Sequence, residues 1–295
     1  MNESTGLELY ARTSHQAAAV VLQAYSTSFG LASRLLPPAT RGQISDIYAL
    51  VRIADEVVDG PGAEAGLTGA QQRSALDALE AETLAAMDRC YSTNIVVHAF
   101  AETARTCGIG PELVVPFFAS MRRDLDPIVD LSEEEYRRYI HGSAEVVGEM
   151  CLQAYLVGHD REPDVREVLH AGARHLGAAF QKINFLRDLG DDHGRLGRSY
   201  FPGVEPGQLE EADKHAILAD IRADLVEVWA SMPHLPRGPR RATAAAAGLF
   251  TELAARIHHT PARDLLEHRV SVPAPVKLRV VAAAVRRANA LGRDT

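Results

Sequence analysis

Apolar positions recur every three to four residues along almost the whole chain, and no stretch alternates apolar with polar as a half-buried strand would. Alanine, leucine, arginine and glutamate, all good helix formers, fill these stretches, so the pattern predicts an all-α fold. Breakers at 35–43, 59–69, 158–164, 200–208 and 232–240 divide it into about ten or more helices. Thr68 with Gln71, and Ser132 with Glu135, have capping-box spacing and mark two helix starts. No internal repeat or long linker interrupts the pattern. One domain spanning 1–295 is the expected organisation. "GPGAEAG" at 60–66 follows a helix rather than a strand and lacks dinucleotide-loop spacing, so it reads as a turn.

Two helical stretches carry a polar seam on an otherwise apolar surface. In "NFLRDLGDD" (184–192), Asn184, Asp188 and Asp192 form one stripe turning by roughly 80°, with Gln181 joining it and Asp191 beside Asn184. Ile183, Phe185, Leu186 and Leu189 cover the remaining circumference, which places the acids toward an interior cavity. In "IYALVRIADEVVD" (47–59), Tyr48, Arg52, Asp55 and Asp59 lie within roughly 60° of one another, flanked by Ile47, Leu50, Ile53 and Val57. A single pair of acids four residues apart is weak evidence and mildly destabilises an isolated helix. Two such seams on apolar helices call for a ligand that relieves the repulsion.

Composition removes several classes of function. The net charge is −8 and no basic block is present, which argues against binding a nucleic-acid backbone. Cys90, Cys107 and Cys151 are odd in number and show no CxxC spacing, so they read as reduced, buried small side chains of a cytoplasmic protein and not as a zinc site. No run of about 18 apolar residues is present, and the N-terminus has no signal-like apolar stretch. Nothing is expected to span a membrane, while peripheral contact through one apolar or basic face stays open.

Opposed carboxylate pairs suit a divalent cation, and Mg²⁺ favours one or two carboxylates together with waters and substrate phosphates. The chemistry this points to is ionisation of an allylic diphosphate, with metals and arginines neutralising the leaving group. Arg52 and Arg187 stand beside the two acid groups, where a phosphate clamp and a structural ion pair fit equally. No GxxxxGK[ST] loop is present and the chain has three lysines, which disfavours nucleotide phosphoryl transfer.

Five ordered blocks then carry a family resemblance: "YSTSFGLASRLLP" (25–37), "YALVRIADEVVDGP" (48–61), "MRRDL" (121–125), "YIHGSAEVVGEM" (139–150) and "AFQKINFLRDLGDDHGRLGRSYFP" (179–202). Through them the chain resembles the squalene/phytoene synthase family over nearly its whole length, and within it most resembles the bacterial phytoene synthases. The resemblance implies an all-α isoprenoid-synthase fold and head-to-head condensation of two geranylgeranyl diphosphates, through prephytoene diphosphate, to phytoene. It implies a catalytic set of Asp55, Asp59, Asp188, Asp192 and Tyr48. The four aspartates with Asn184 would hold Mg²⁺, with Mn²⁺ as an alternative. Ser26, Ser28, Arg52, Gln181, Asn184, Arg187, Arg198 and Arg269 would contact diphosphate. Ser26 and Ser28 equally fit hydroxyls satisfied by a helix start. NADPH is not expected, because phytoene formation ends by proton loss and needs no hydride.

The sequence departs from the family pattern at three places. Asp191 stands where many relatives carry Glu, which keeps charge and shortens reach, so it supports the ligands rather than joining them. His141 stands where Tyr is common, and its imidazole is expected to take over part of an aromatic ring's role beside a carbocation. Phe250 lies near another frequent Tyr. Squalene or dehydrosqualene synthesis from farnesyl diphosphate is the alternative activity. A non-catalytic helical assembly factor is the alternative class, disfavoured by the presence of all four aspartates.

Overall fold

The computed structural model describes residues 5–128, 131–194, 197–204 and 207–291, excluding the side chains of Thr27, Ser28, Asp191 and His193. The expected diphosphate contact of the Ser28 side chain therefore lies outside the described residues, as does the supporting role expected of Asp191. Among the described residues there are thirteen helices and two four-residue helical turns, with one π-helical and one 3₁₀ turn besides. In order they are α1 (Gly6–Tyr25), α2 (Thr27–Ser33), α3 (Pro38–Val58), α4 (Pro61–Glu64), α5 (Gly69–Arg89), α6 (Ile95–Cys107), α7 (Pro111–Arg123) and α8 (Glu133–Ile140). There follow α9 (Val146–Leu156), α10 (Pro163–Arg187), α11 (Leu189–Gly194), α12 (Glu211–Ser231), α13 (Arg237–His259), α14 (Ala262–Leu265) and α15 (Ala274–Leu291). Among the described residues the only β-type pairing is one isolated bridge between Ile128 and Arg198.

Local chemistry accounts for many of the helix ends. Thr68 and Ser132 form the two expected capping boxes, and Thr5 forms a third at the start of α1. Proline occupies the first position of α3, α7 and α10, where its missing N–H costs nothing and its fixed φ suits the helix. The count exceeds ten because α2, α4, α11 and α14 are too short for periodicity to separate from their neighbours.

Among the described residues, the two largest of four apolar clusters hold most of the shell together. One joins α1, α3, α5, α6, α7 and α9 through side chains such as Ile44, Leu50, Leu76, Phe100, Phe117 and Met150. The other joins α8, α10, α12, α13 and α15 through Ile183, Leu186, Ile221, Val228 and Ile257. Between them lies a cavity of about 770 Å³, walled by α2, α3, α9, α10 and α13. Cys107 is buried and Cys151 lines this cavity, but Cys90 is exposed. Cys90 ends α5 in the left-handed conformation (φ 65°), which turns its side chain out of the core and corrects the expectation of three buried thiols.

A π-helical turn, His141–Glu145, links α8 to α9, and glycines let α10 approach it closely. A Cβ on Gly177 would lie 2.3 Å from the Ala144 carbonyl oxygen, and one on Gly148 would lie 2.3 Å from that of Ala173. Backbone cannot swing aside as a side-chain tip can. Gly177→Ala therefore loses more by overpacking than the roughly 1 kcal/mol that alanine gains in helix propensity, with an expected net loss of about 1–2 kcal/mol in urea denaturation. Unchanged or higher stability would show that the crossing is looser than drawn.

Candidate active site

The first seam is assembled as the periodicity predicts. Tyr48, Arg52, Asp55 and Asp59 all line the cavity, with Asp59 as the C-cap of α3. Arg52 pairs with Glu56, reaches Asp55 at 3.9 Å, and lays its guanidinium 4.6 Å from the centre of the Tyr25 ring. Tyr48 stacks with Phe29. The Ser26 hydroxyl accepts from the Phe29 N–H (3.2 Å) as the N-cap of α2, the helix-start reading of that residue.

The second seam is not one continuous helix. α10 stops at Arg187, Asp188 adopts a non-helical cap conformation (φ −99°, ψ 9°), and α11 resumes at Leu189. Gly190 presses against the Leu266 carbonyl, with room for no Cβ. The stripe survives the break because the Asp188 N–H donates to Asn184 (2.8 Å) and the Asp192 N–H donates to Asp188 (2.9 Å). Gln181, Asn184, Arg187, Asp188 and Asp192 accordingly all face the cavity. Asp188 is held by Arg187 (Nε to Oδ1, 2.9 Å) and by Arg269 (Nε to Oδ1, 2.7 Å). Arg269 thus reaches the site from the segment after α14.

Arg198, only 5% exposed, spans the two seams. Its Nη1 donates to Asp59 (2.8 Å), its Nη2 to the carbonyls of Val58 (3.1 Å) and Asp124 (2.9 Å), and its own N–H to the Asp192 carbonyl (2.9 Å). Burial works against its charge, but Tyr200, Asp124 and Asp59 outweigh it and raise its pKa. Tyr200, likewise buried, stacks on Phe185 with ring centres 3.9 Å apart.

Among the described residues, the one cavity-lining acid that the sequence did not single out is Asp124. Asp124, in the "MRRDL" block, is buried and accepts hydrogen bonds from the hydroxyls of Tyr139 (2.8 Å) and Tyr200 (3.1 Å). It lies alone in sequence, with no second acid at helical spacing facing the cavity, so periodicity had no signal to offer. His141 corrects the opposite way. It is not among the cavity-lining residues, its side chain is 45% exposed, and Nδ1 pairs with Glu145 (3.0 Å). The wide π turn, in which the Val146 N–H bonds the His141 carbonyl, instead leaves Ser143 and Ala144 on the cavity wall. Phe250 does face the cavity, stacked on Phe180 at 3.7 Å.

The electrostatics reflect crowding of like charge in a partly enclosed site. Burial and neighbouring Asp59 push Asp55 up to about 8, burial and Asp188 push Asp192 up to about 7, and burial raises Asp124 to about 6 despite Arg198. Asn184 Oδ1 is buried without a hydrogen-bond partner. Among the described residues no three His, Cys, Asp or Glu side chains converge into a ready-made cage. All-oxygen donors in separated pairs, with an unfilled amide oxygen, fit Mg²⁺ completed by waters and phosphate oxygens. Asp55, Asp59, Asp188, Asp192 and Asn184 are the residues that would hold it.

An all-α shell around an apolar chamber, with facing carboxylates and arginines on its wall, defines a prenyltransferase architecture. The family model for squalene/phytoene synthase matches residues 22–275, and the chain belongs to that family. The phytoene synthase of Mycobacterium tuberculosis is 29% identical over 270 residues, covering 85% of this chain and 84% of that protein. The presqualene diphosphate synthase of Zymomonas mobilis is 30% identical over 291 residues, covering 90% and 93%. A crystal structure of a dehydrosqualene synthase superposes with a TM-score of 0.81 at 20% identity, covering 96% of this chain and 99% of that one. The family joins prenyl diphosphates head to head and typically uses Mg²⁺. Among the described residues no helix is long and apolar enough to cross a membrane.

A carboxyl whose folded-state pKa lies above its unfolded value holds protons more tightly when folded. Its contribution to stability is present at low pH and is lost as pH rises toward the folded value. Metal-free wild-type protein should therefore lose melting temperature as pH rises from about 4, the unfolded carboxyl value, to about 8, the folded value of Asp55, and Asp55→Asn should lose less, because its share is removed. Parallel wild-type and variant curves, measured by calorimetry in excess chelator, would refute this account of Asp55.

Proposed function

We propose that this protein is a phytoene synthase, joining two geranylgeranyl diphosphates head to head through prephytoene diphosphate. The observation that carries the reading is the pair of aspartate seams facing one apolar chamber, which suits two diphosphates with long hydrocarbon tails. In this reading Arg52, Arg187 and Arg269 orient the diphosphates, and Tyr48, Gln181 and Ser26 border them. Mg²⁺, when bound by the aspartates and Asn184, supplies positive charge against the departing diphosphate. Val51, Val147, Leu176 and the stacked Phe180 and Phe250 exclude water from the allylic cation, and the rings offer their π-faces to it. The similarity to phytoene synthases of bacteria supports the C20 substrate.

A second reading has its own support. The similarity to the Zymomonas enzyme extends over more of this chain, and that protein is a presqualene diphosphate synthase, which favours farnesyl diphosphate as substrate. Offering both diphosphates in competition, with and without NADPH, separates the two by product mass. The expected product is a C40 hydrocarbon formed without NADPH. A preferred C30 product, or strict dependence on NADPH, would overturn the phytoene reading and leave the family unaffected.

Turnover should cease in excess chelator and return on adding Mg²⁺ or Mn²⁺, with Ca²⁺ a poor substitute because of its larger size and looser geometry. Full turnover in chelator would contradict the assignment of the aspartates and Asn184 to metal.

A further inference from the structure

The two seams belong to separate elements. Asp55 and Asp59 close α3, whereas Asp188 and Asp192 lie at the junction of α10 and α11. When ionised, all four carry like charge, and in an apolar chamber that repulsion drives the elements apart unless something fixes their separation. Arg198 is the direct tie, through Asp59 on one side and the Asp192 carbonyl on the other. A guanidinium holds several acceptors only when they are already in place around it.

Asp124 supplies that placement. Its main-chain carbonyl accepts from Arg198 Nη2 (2.9 Å), and its carboxylate accepts from Tyr200 (3.1 Å), two residues beyond Arg198. The same carboxylate accepts from Tyr139, which anchors it to the end of α8. Tyr200 in turn stacks on Phe185, one helical position from Asn184 on α10. The Ser199 N–H donates to the Ile128 carbonyl (2.7 Å), so the strand of chain after Asp124 and the segment carrying Arg198 run side by side. One carboxylate thus locks the backbone from which Arg198 reaches both seams, and its charge balances a guanidinium that is 5% exposed.

We propose that Asp124 is a positioning residue for the diphosphate site, setting the gap between the two aspartate seams through Tyr200 and Arg198. The proposal rests on the reading of those seams as a metal–diphosphate site and is independent of tail length. Asp124→Asn preserves shape and removes the charge, leaving one neutral amide oxygen to accept from both phenols and an NH₂ group where the second carboxylate oxygen accepted from Tyr139. Tyr200→Phe cuts the same link from its other end and keeps the stacking on Phe185.

Titration calorimetry with inorganic diphosphate in the presence of MgCl₂ reads the gap without turnover. The expected result is at least about tenfold weaker binding for each single variant, as loss of one hydrogen bond to a charged group predicts, with no further loss in the double variant. Far-UV circular dichroism and melting curves report the folded fraction. Wild-type affinity per folded molecule in Asp124→Asn would overturn the proposal and reduce Asp124 to a stabilising contact. If Asp124→Asn does not fold, wild-type affinity in Tyr200→Phe overturns it equally. Wild-type protein that binds no Mg²⁺–diphosphate would instead overturn the site reading itself, and the proposal with it.

Discussion

Repulsion among carboxylates in a low-dielectric chamber governs the design. Asp55, Asp59, Asp124, Asp188 and Asp192 all face one cavity, where charges interact more strongly than in water. α3 and α10 also end at this point, and helix C-termini add partial negative charge of their own. The apoprotein accommodates the excess in two ways. Several carboxyls hold protons well above the ordinary carboxylate range, and arginines occupy the remaining space. In the proposed function, a cation and a diphosphate take the places of these protons and internal ion pairs.

Arginine suits this work where lysine would not. The planar fork of Arg198 addresses a carboxylate and two carbonyls at once, a pattern a single ammonium cannot match with fixed geometry. Two of the three lysines serve the shell instead. Lys182 pairs with Asp220 and Asp224 where α10 meets α12, and buried Lys214 donates to the Thr260 carbonyl (2.6 Å). These ties, with the glycine-mediated contact of α10 against the π turn, join the helices that wall the cavity.

Much of the site was legible before any tertiary structure. Helical spacing brought Tyr48, Arg52, Asp55 and Asp59 onto one face, and Gln181, Asn184, Asp188 and Asp192 onto another, because both sets lie within a few turns of their own helices. The capping boxes at Thr68 and Ser132 were legible for the same reason, as each closes over three residues. Arg198, Arg269 and Ser26 came from the family resemblance rather than from periodicity, and the folded chain brings each of them to the cavity wall.

What stayed hidden depends on contacts between distant parts of the chain, or on one residue more or fewer in a turn. Asp124 is an isolated acid until folding places Tyr200 against it, 76 residues away. His141 belongs to a plausible aromatic position until the π turn carries it to the surface beside Glu145. The break at Asp188 is invisible in a helical wheel, and it is settled where Gly190 meets the Leu266 carbonyl. The sequence by itself determined which side chains share a helix face, since that follows from backbone geometry over a few residues. Tertiary structure alone decided how the two faces are held opposite each other, since repelling charges approach only where packing and a buried guanidinium compel them.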